Sequence, residues 1–214
     1  MAVTPTTWNP SDKDSTVTLS GGDLTATFSF GSVRSVASVP SGKYYWEVTF
    51  PSGVTTEHIG VATAASAMSM WLGGDAYGWG ASVSDGVVTN GGTGVATLST
   101  PPTTTLSVLL DADAKTLKYW VDGADAGVTI TLTGAAFFAA AGYFGEATAN
   151  FGATAFTYTP PAGYEAGFGA PDPNRTVYPE GKSVFAFGTP AAIYGPNRTA
   201  QVIGAGLLSS GTAT

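Results

Sequence analysis

The sequence predicts an all-β fold, a β-sandwich. Three observations carry that prediction. Apolar and polar residues alternate with period 2 along most of the chain, the spacing that sends successive side chains to opposite faces of a strand. Runs of β-branched and aromatic residues recur about every 8–12 residues with turn residues between them, giving roughly a dozen short strands. Helical periodicity is nearly absent, and 64–70 is the one helix-tolerant stretch, about two turns long.

The elements follow in order. Residues 16–20 alternate, Gly21-Gly22 turns, and 24–28 alternate again, which is a hairpin signal. Residues 44–50 are dense in β-formers and end at Pro51, which cannot donate to a ladder. Residues 58–62 read as a short buried strand. Residues 105–110 and 116–122 flank an Asp/Ala/Lys turn, and Asp122-Gly123 opens another turn before 127–131. Residues 136–144 and 148–158 complete the pattern. Nothing offers the alternating strand and helix units of an α/β fold.

Composition narrows the function. The chain has 214 residues, with 29 glycines, 13 prolines and no cysteine. Eight basic and 15 acidic residues give a formal net charge of -7, and charged residues make up only 11%, against roughly 25% in ordinary domains. So acidic a chain carries no broad basic field, which argues against nucleic-acid binding. Without cysteine there is no disulfide, thiolate metal site or Cys nucleophile. The single histidine, His58, excludes multi-His metal sites. An apolar fraction of 43% suffices for a core. Residues 1–10 show neither the basic nor the apolar part of an export signal. The longest weakly polar run, 135–145, is far short of the ~20 residues a spanning helix needs. The expectation is no membrane insertion and no signal peptide.

Composition shifts at Pro160-Pro161. Beyond it, prolines and glycines punctuate the pairs Val177-Tyr178, Val184-Phe185, Ile193-Tyr194 and Val202-Ile203, and Pro-Asn-Arg-Thr occurs twice. This is a degenerate short repeat whose units are too small to bury their own apolar pairs. Two parts are therefore expected: a sandwich over 1–164, and a C-terminal attachment or oligomerisation segment over 165–214. Within 183–214 Arg198 is the only charged residue, so bare solvation would be poor and coverage by other subunits is expected. The assembly candidates are Arg175, Tyr178, Lys182, Phe185, Tyr194 and Arg198. Asn174-Arg175-Thr176 and Asn197-Arg198-Thr199 match the glycosylation acceptor pattern but, with no export signal, read as turns.

Five stretches in order resemble SPRY (B30.2-like) domains. They are Gly42-Lys43-Tyr44-Tyr45-Trp46-Glu47-Val48; Ile59-Gly60-Val61-Ala62; Leu72-Gly73-Gly74-Asp75 with Gly78-Trp79-Gly80; Leu109-Leu110-Asp111 with Leu117 through Gly123; and Asn150-Phe151-Gly152 closing at Pro160-Pro161. The resemblance spans about residues 8–164. Asp122 stands where the family usually has Asn, a swap a type I′ turn tolerates. The lead-in Trp8-Asn9-Pro10 and the Gly/Thr/Ala-rich body are similar to SPRY-like modules of tailed-bacteriophage virion proteins. The resemblance implies a bent antiparallel two-sheet β-sandwich that binds other molecules through loops at one end, non-enzymatic and with no cofactor, made without a signal and assembled into virions in the host cytoplasm. Its implied partners are other virion subunits, with homo-oligomerisation, and a host-surface glycan or protein. A head decoration and a tail-fibre or baseplate adhesin both fit. The alternatives are a cellular SPRY adaptor and a carbohydrate-active sandwich enzyme.

Several residues could in principle carry chemistry. Strand alternation puts Tyr44, Trp46 and Val48 on one face and Tyr45, Glu47 and Thr49 on the other. Glu47 is expected to hydrogen-bond a neighbouring strand or loop rather than act as a general acid. A catalytic His58 would need a partner within reach, and the residue is expected as exposed polar surface beside a turn. Asp111, Asp113, Asp122 and Asp125 form the densest carboxylate cluster, without the spacing of a calcium loop; turn chemistry is expected and no metal. No two glutamates share a face at glycosidase spacing, so no catalytic residue is assigned. The stretch 68–79 sets Met68, Met70, Trp71, Tyr77 and Trp79 among glycines and Asp75. Rings beside small polar residues make recognition surface. Trp79 matches a core position, leaving Trp71, Asp75 and Tyr77 as the binding candidates.

Overall fold

The computed structural model describes residues 3–51, 56–171, 175–177 and 183–185. Residues Val3–Ala170 form one compact unit. Its strands are β1 (Val3–Pro5), β2 (Trp8–Lys13), β3 (Val17–Ser20), β4 (Thr25–Phe28), β5 (Ser32–Val39), β6 (Lys43–Thr49), β7 (His58–Ala62), β8 (Gly78–Ser82), β9 (Val87–Asn90) and β10 (Thr93–Thr97). Then follow β11 (Thr105–Asp111), β12 (Thr116–Val121), β13 (Ala124–Asp125), β14 (Ile130–Thr131), β15 (Phe137–Gly142), β16 (Gly145–Asn150), β17 (Glu165–Ala166) and β18 (Gly169–Pro171).

Two sheets make the sandwich. One runs β10-β9-β8-β7-β15-β5-β2; the other runs β13-β12-β11-β6-β16-β4-β3, with β14 on β12 and β17 on β6. The ladders are antiparallel except β17 on β6. Tyr44, Trp46 and Val48 of β6 face inward with Leu106, Val108 and Leu110 of β11, and meet Ile59, Val61 and Ala139 of the other sheet. The three side chains that alternation groups on one face of β6 thus share the core. Trp8 is fully buried, sets its ring edge-on to Phe151 at 5.0 Å, and donates from Nε1 to Leu24 O at 2.9 Å. The expected hairpins form. At Asp122-Gly123 both φ angles are positive, 47° and 87°, which Asp tolerates as Asn does.

Several elements differ from the sequence reading. Residues 64–70 form turns rather than a helix. The strand expected over 148–158 stops at Asn150. There the Asn150 side chain accepts from Gly152 N at 3.0 Å and donates to the carbonyls of Thr154 and Ala155, folding the chain out of the ladder. Within the released segment, residues 156–158 cross the outer face of β6. Phe156 packs edge-on to Tyr45 at 5.1 Å, and Thr157 N and Tyr158 N each donate to Glu47 at 2.8 Å. Tyr45 and Glu47 are therefore as buried as the core face, at 0% and 2% exposure. Residues 165–170, grouped by composition with the C-terminal segment, pack into the sandwich. Phe168 is fully buried, 4.8 Å from Trp46 and 5.6 Å from Tyr44.

In the C-terminal part, β19 (Arg175–Val177) and β20 (Ser183–Phe185) pair antiparallel, Thr176 opposite Val184. Tyr178, Lys182, Tyr194 and Arg198 lie outside the described residues. Only the backbone of Arg175 and Phe185 is described.

Candidate functional site

Three connections of the sandwich converge. They are the β4–β5 turn with Phe30, the β15–β16 connection with Tyr143 and Phe144, and the long β7–β8 loop with Met70 and Trp71. The rings form a continuous cluster. Phe30 lies 6.1 Å from Tyr143 and 5.9 Å from Phe144 between ring centres. Tyr143 lies 4.8 Å from Phe144 and 6.0 Å from Trp71. His58 sits beneath, 4.8 Å from Trp71 and 5.7 Å from Tyr143. Phe30 and Phe144 are 40% and 46% exposed, and Met70 37%. Large apolar side chains left in water beside one another, when the sandwich has a full core to hold such groups, mark an interaction surface.

Backbone strain falls on the same spot. Tyr143 has φ 102°, where a β-carbon is crowded and glycine is the ordinary occupant. Such a conformation costs about 1–3 kcal/mol and persists only where its surroundings impose it. Here Tyr143 N donates to Gly31 O at 2.8 Å, and both Thr56 N and Thr56 Oγ1 donate to Phe144 O at 3.3 Å. Glu57 Oε1 accepts from Glu146 N just beyond the turn.

The β7–β8 loop is held firmly. Arg34 pairs with Asp12 through two nitrogens at 2.8 Å and donates to Thr63 O at 2.6 Å. Asp75 accepts from Ser66 Oγ at 3.2 Å and from Ala67 N and Tyr77 N at 2.8 Å. Ser32 reaches Met68 O through its N–H and Met70 O through Oγ. Leu72 is buried against Ala62 and Ala140. Rings on so braced a frame lose little freedom on binding, which favours affinity.

The candidates from sequence distribute unevenly. Trp71 joins the ring cluster, half-buried. The Asp75 carboxylate is occupied by its own loop. Tyr77, 51% exposed, lines a separate shallow groove of about 600 Å³ with Ser38, Thr63, Gly134, Ala136 and Phe138. Trp79 is core at 3% exposure. Sequence reasoning missed Phe30, Tyr143 and Phe144, although the glycines bracketing Tyr143-Phe144 were a legible turn signal.

His58 corrects an expectation. It is buried rather than surface polar, because the β7–β8 loop folds over it. Its Nδ1 lies 3.3 Å from Thr89 Oγ1. Desolvation dominates and depresses its pKa to about 4, outweighing the opposing backbone of Leu72 and the carboxylate of Asp85. The unfolded chain thus binds a proton near pH 6.5 that the folded one refuses until about pH 4. Stability is whole above pH 6.5 and falls through that window by about 3 kcal/mol. Denaturant titrations at pH 7 and pH 4 check this: the difference should shrink by that amount in His58→Gln, and parallel profiles for the two proteins would refute it.

The other acidic candidates serve turns. Asp111 pairs with Lys43 Nζ at 2.9 Å and accepts from Ala114 N. Burial opposes its charge, but these donors hold its pKa low. Asp122 behaves alike with Thr103, Thr104 and Thr105. Among the described residues, no three His, Asp or Glu side chains converge as a metal set. No helix there is long and apolar enough to cross a membrane.

An antiparallel sandwich with no helix among its described residues, presenting braced rings on converging connections, is the frame of a recognition module. The SPRY domain profile matches residues 43–154, over half the chain, and the chain belongs to that family. Solved structures agree on the fold. The chain is similar to the SPRY domain of human HERC1 (TM-score 0.57, 15% identity, 66% of this chain and 96% of that one). It is similar likewise to the TRIM65 PSpry domain (0.57, 17%, 68% and 89%). Stonustoxin matches at TM-score 0.50 and 22% identity, over 68% of this chain but 27% of the toxin chain. No curated protein matches. SPRY domains mediate protein–protein interactions, which fits a protein partner.

Proposed function

We propose that this chain is a non-enzymatic protein-binding module that engages its partner through Phe30, Met70, Trp71, Tyr143 and Phe144, and that residues 171–214 attach it to a tailed-bacteriophage virion as a structural or accessory component. The observation that carries the binding half is the coincidence of exposed rings with the strained Tyr143 turn. The cluster is apolar and uncharged, which suits an apolar protein segment better than a glycan, whose hydroxyls need convergent polar partners. The non-enzymatic reading is supported by Glu47, whose two carboxylate oxygens are both occupied by the fold. The virion half rests on the low charge of the C-terminal segment and on the style of the sequence.

Panning a random dodecapeptide library against the immobilised full chain tests the first half. Enriched peptides should be apolar, and Phe30→Ala/Phe144→Ala should weaken them by about tenfold or more, as for interface anchors, without lowering the melting temperature. Peptides that bind both proteins equally would place recognition elsewhere. Co-sedimentation with phage particles tests the second half; its absence would favour a free cellular adaptor.

A further inference from the structure

We propose that β10 pairs antiparallel with β10 of a second copy, joining two seven-stranded sheets into one. The inference starts from the sheet edges. An edge strand offers an open row of N–H and C=O groups, and proteins guard it with proline, charge, shortness, a bulge or a covering group. The two main sheets have four edges, and three carry proline, charge, a capped carbonyl or a strand of only two residues. Strand β2 carries Pro10, Asp12 and Lys13. Strand β3 has the Val17 carbonyl capped by Lys13 Nζ at 2.6 Å. Strand β13 has two residues, one of them Asp125.

Among the described residues, strand β10 has no proline, no charge and no covering group, and its one irregularity is a bulge. It reads Thr93-Gly94-Val95-Ala96-Thr97, five residues without proline or charge, and all but Ala96 are exposed. The Gly91-Gly92 turn, with φ 61° and 72°, joins it to β9, and among the described residues no strand pairs with its outer side. A bulge between Gly94 and Ala96 releases Val95 from the ladder to β9, leaving its side chain 50% exposed.

The pattern identifies the occupant. Read in either direction it runs Thr, small, Val, small, Thr. A two-fold axis through Val95 therefore sets Val95 against Val95, Gly94 against Ala96 and Thr93 against Thr97, an isologous contact with β-branched residues facing each other and no like charges opposed. A foreign strand would draw its specificity from pockets for alternate side chains, and this exposed strip offers none. The contact is independent of the ring cluster and of residues 171–214.

Because the chain has no cysteine, Val95→Cys supplies a unique probe. Residues directly opposed in an antiparallel pair have Cα atoms about 4.5–5.5 Å apart, within disulfide reach. Under mild oxidation of the full chain, Val95→Cys should form a cross-linked dimer about tenfold faster, or more, than Thr18→Cys on the guarded β3 edge. Equal rates would reduce the contact to random collision and overturn the proposal. Val95→Lys opposes two charges at the axis and should weaken dimerisation in sedimentation by about tenfold or more with the melting temperature unchanged. An unchanged association constant, or a wild-type chain that stays monomeric, would equally overturn it. Assembly through the C-terminal segment alone would leave the Val95 and Thr18 rates alike, which separates the two contacts.

Discussion

Replacing Glu47 with alanine is expected to destabilise the sandwich by about 3–5 kcal/mol, the cost of breaking a buried, fully bonded charge site. Glu47 stands mid-strand in β6, 2% exposed. Oε1 accepts from Tyr45 Oη and Tyr158 N, and Oε2 from Thr157 N, each at 2.8 Å. Tyr45 Oη also meets Ser107 Oγ at 2.9 Å, and burial pushes the Tyr45 pKa up. Alanine strands these donors beneath Phe156, where water cannot replace the lost acceptor without lifting 156–158 off the sheet. Glu47→Gln keeps one oxygen as acceptor and should cost less, about 1–3 kcal/mol. Equilibrium denaturation at pH 7 reads both values. A loss below about 1 kcal/mol for alanine, the scale of one ordinary hydrogen bond, would show that the crossing segment holds without the carboxylate.

Phe168 carries the second large effect. It is fully buried against Trp46, Tyr44 and Phe151, and Phe→Ala in such a site costs about 3–5 kcal/mol in lost transfer energy and cavity. The same ring decides where the sandwich ends. A chain stopped after residue 164 removes Phe168 together with β17 and β18, and should melt about 10 °C or more below the full chain. A chain stopped after residue 170 should melt with it. If both truncations melt together, the pairing of Glu165 and Ala166 with β6 contributes little.

Much of the fold was legible because period-2 alternation and turn residues are local signals. The inward set of β6, the Asp122-Gly123 turn and the bonded role of Glu47 follow from spacing and side-chain chemistry. What escaped depends on distant chain. Nothing local to Tyr45 or His58 announces that residues 156–158 and 63–77 will fold over them, so alternation leaves the face of Tyr45 unassigned and His58 reads as surface. The ring cluster shows the same division. Trp71 stands out in its own loop, whereas Phe30 and Phe144 become neighbours only through strand order. Asp75 illustrates the limit of local reading: an isolated acid among glycines suits either a ligand contact or an Asx turn, and only the folded loop shows its carboxylate accepting from Ala67 N and Tyr77 N.

The crossing segment also sets the order in which the chain can fold during synthesis. The partners of Glu47 lie 110 and 111 residues downstream, and Thr6 N donates to the carbonyl of Phe168. Closure therefore waits until nearly the whole sandwich has left the ribosome, and contacts this distant in sequence place folding among the slow β topologies, in milliseconds to seconds. Until then Tyr45, Glu47 and Ser107 line an open central sheet. A nascent chain in that state is the form most in need of a chaperone and most prone to mispair with its neighbours on a crowded message.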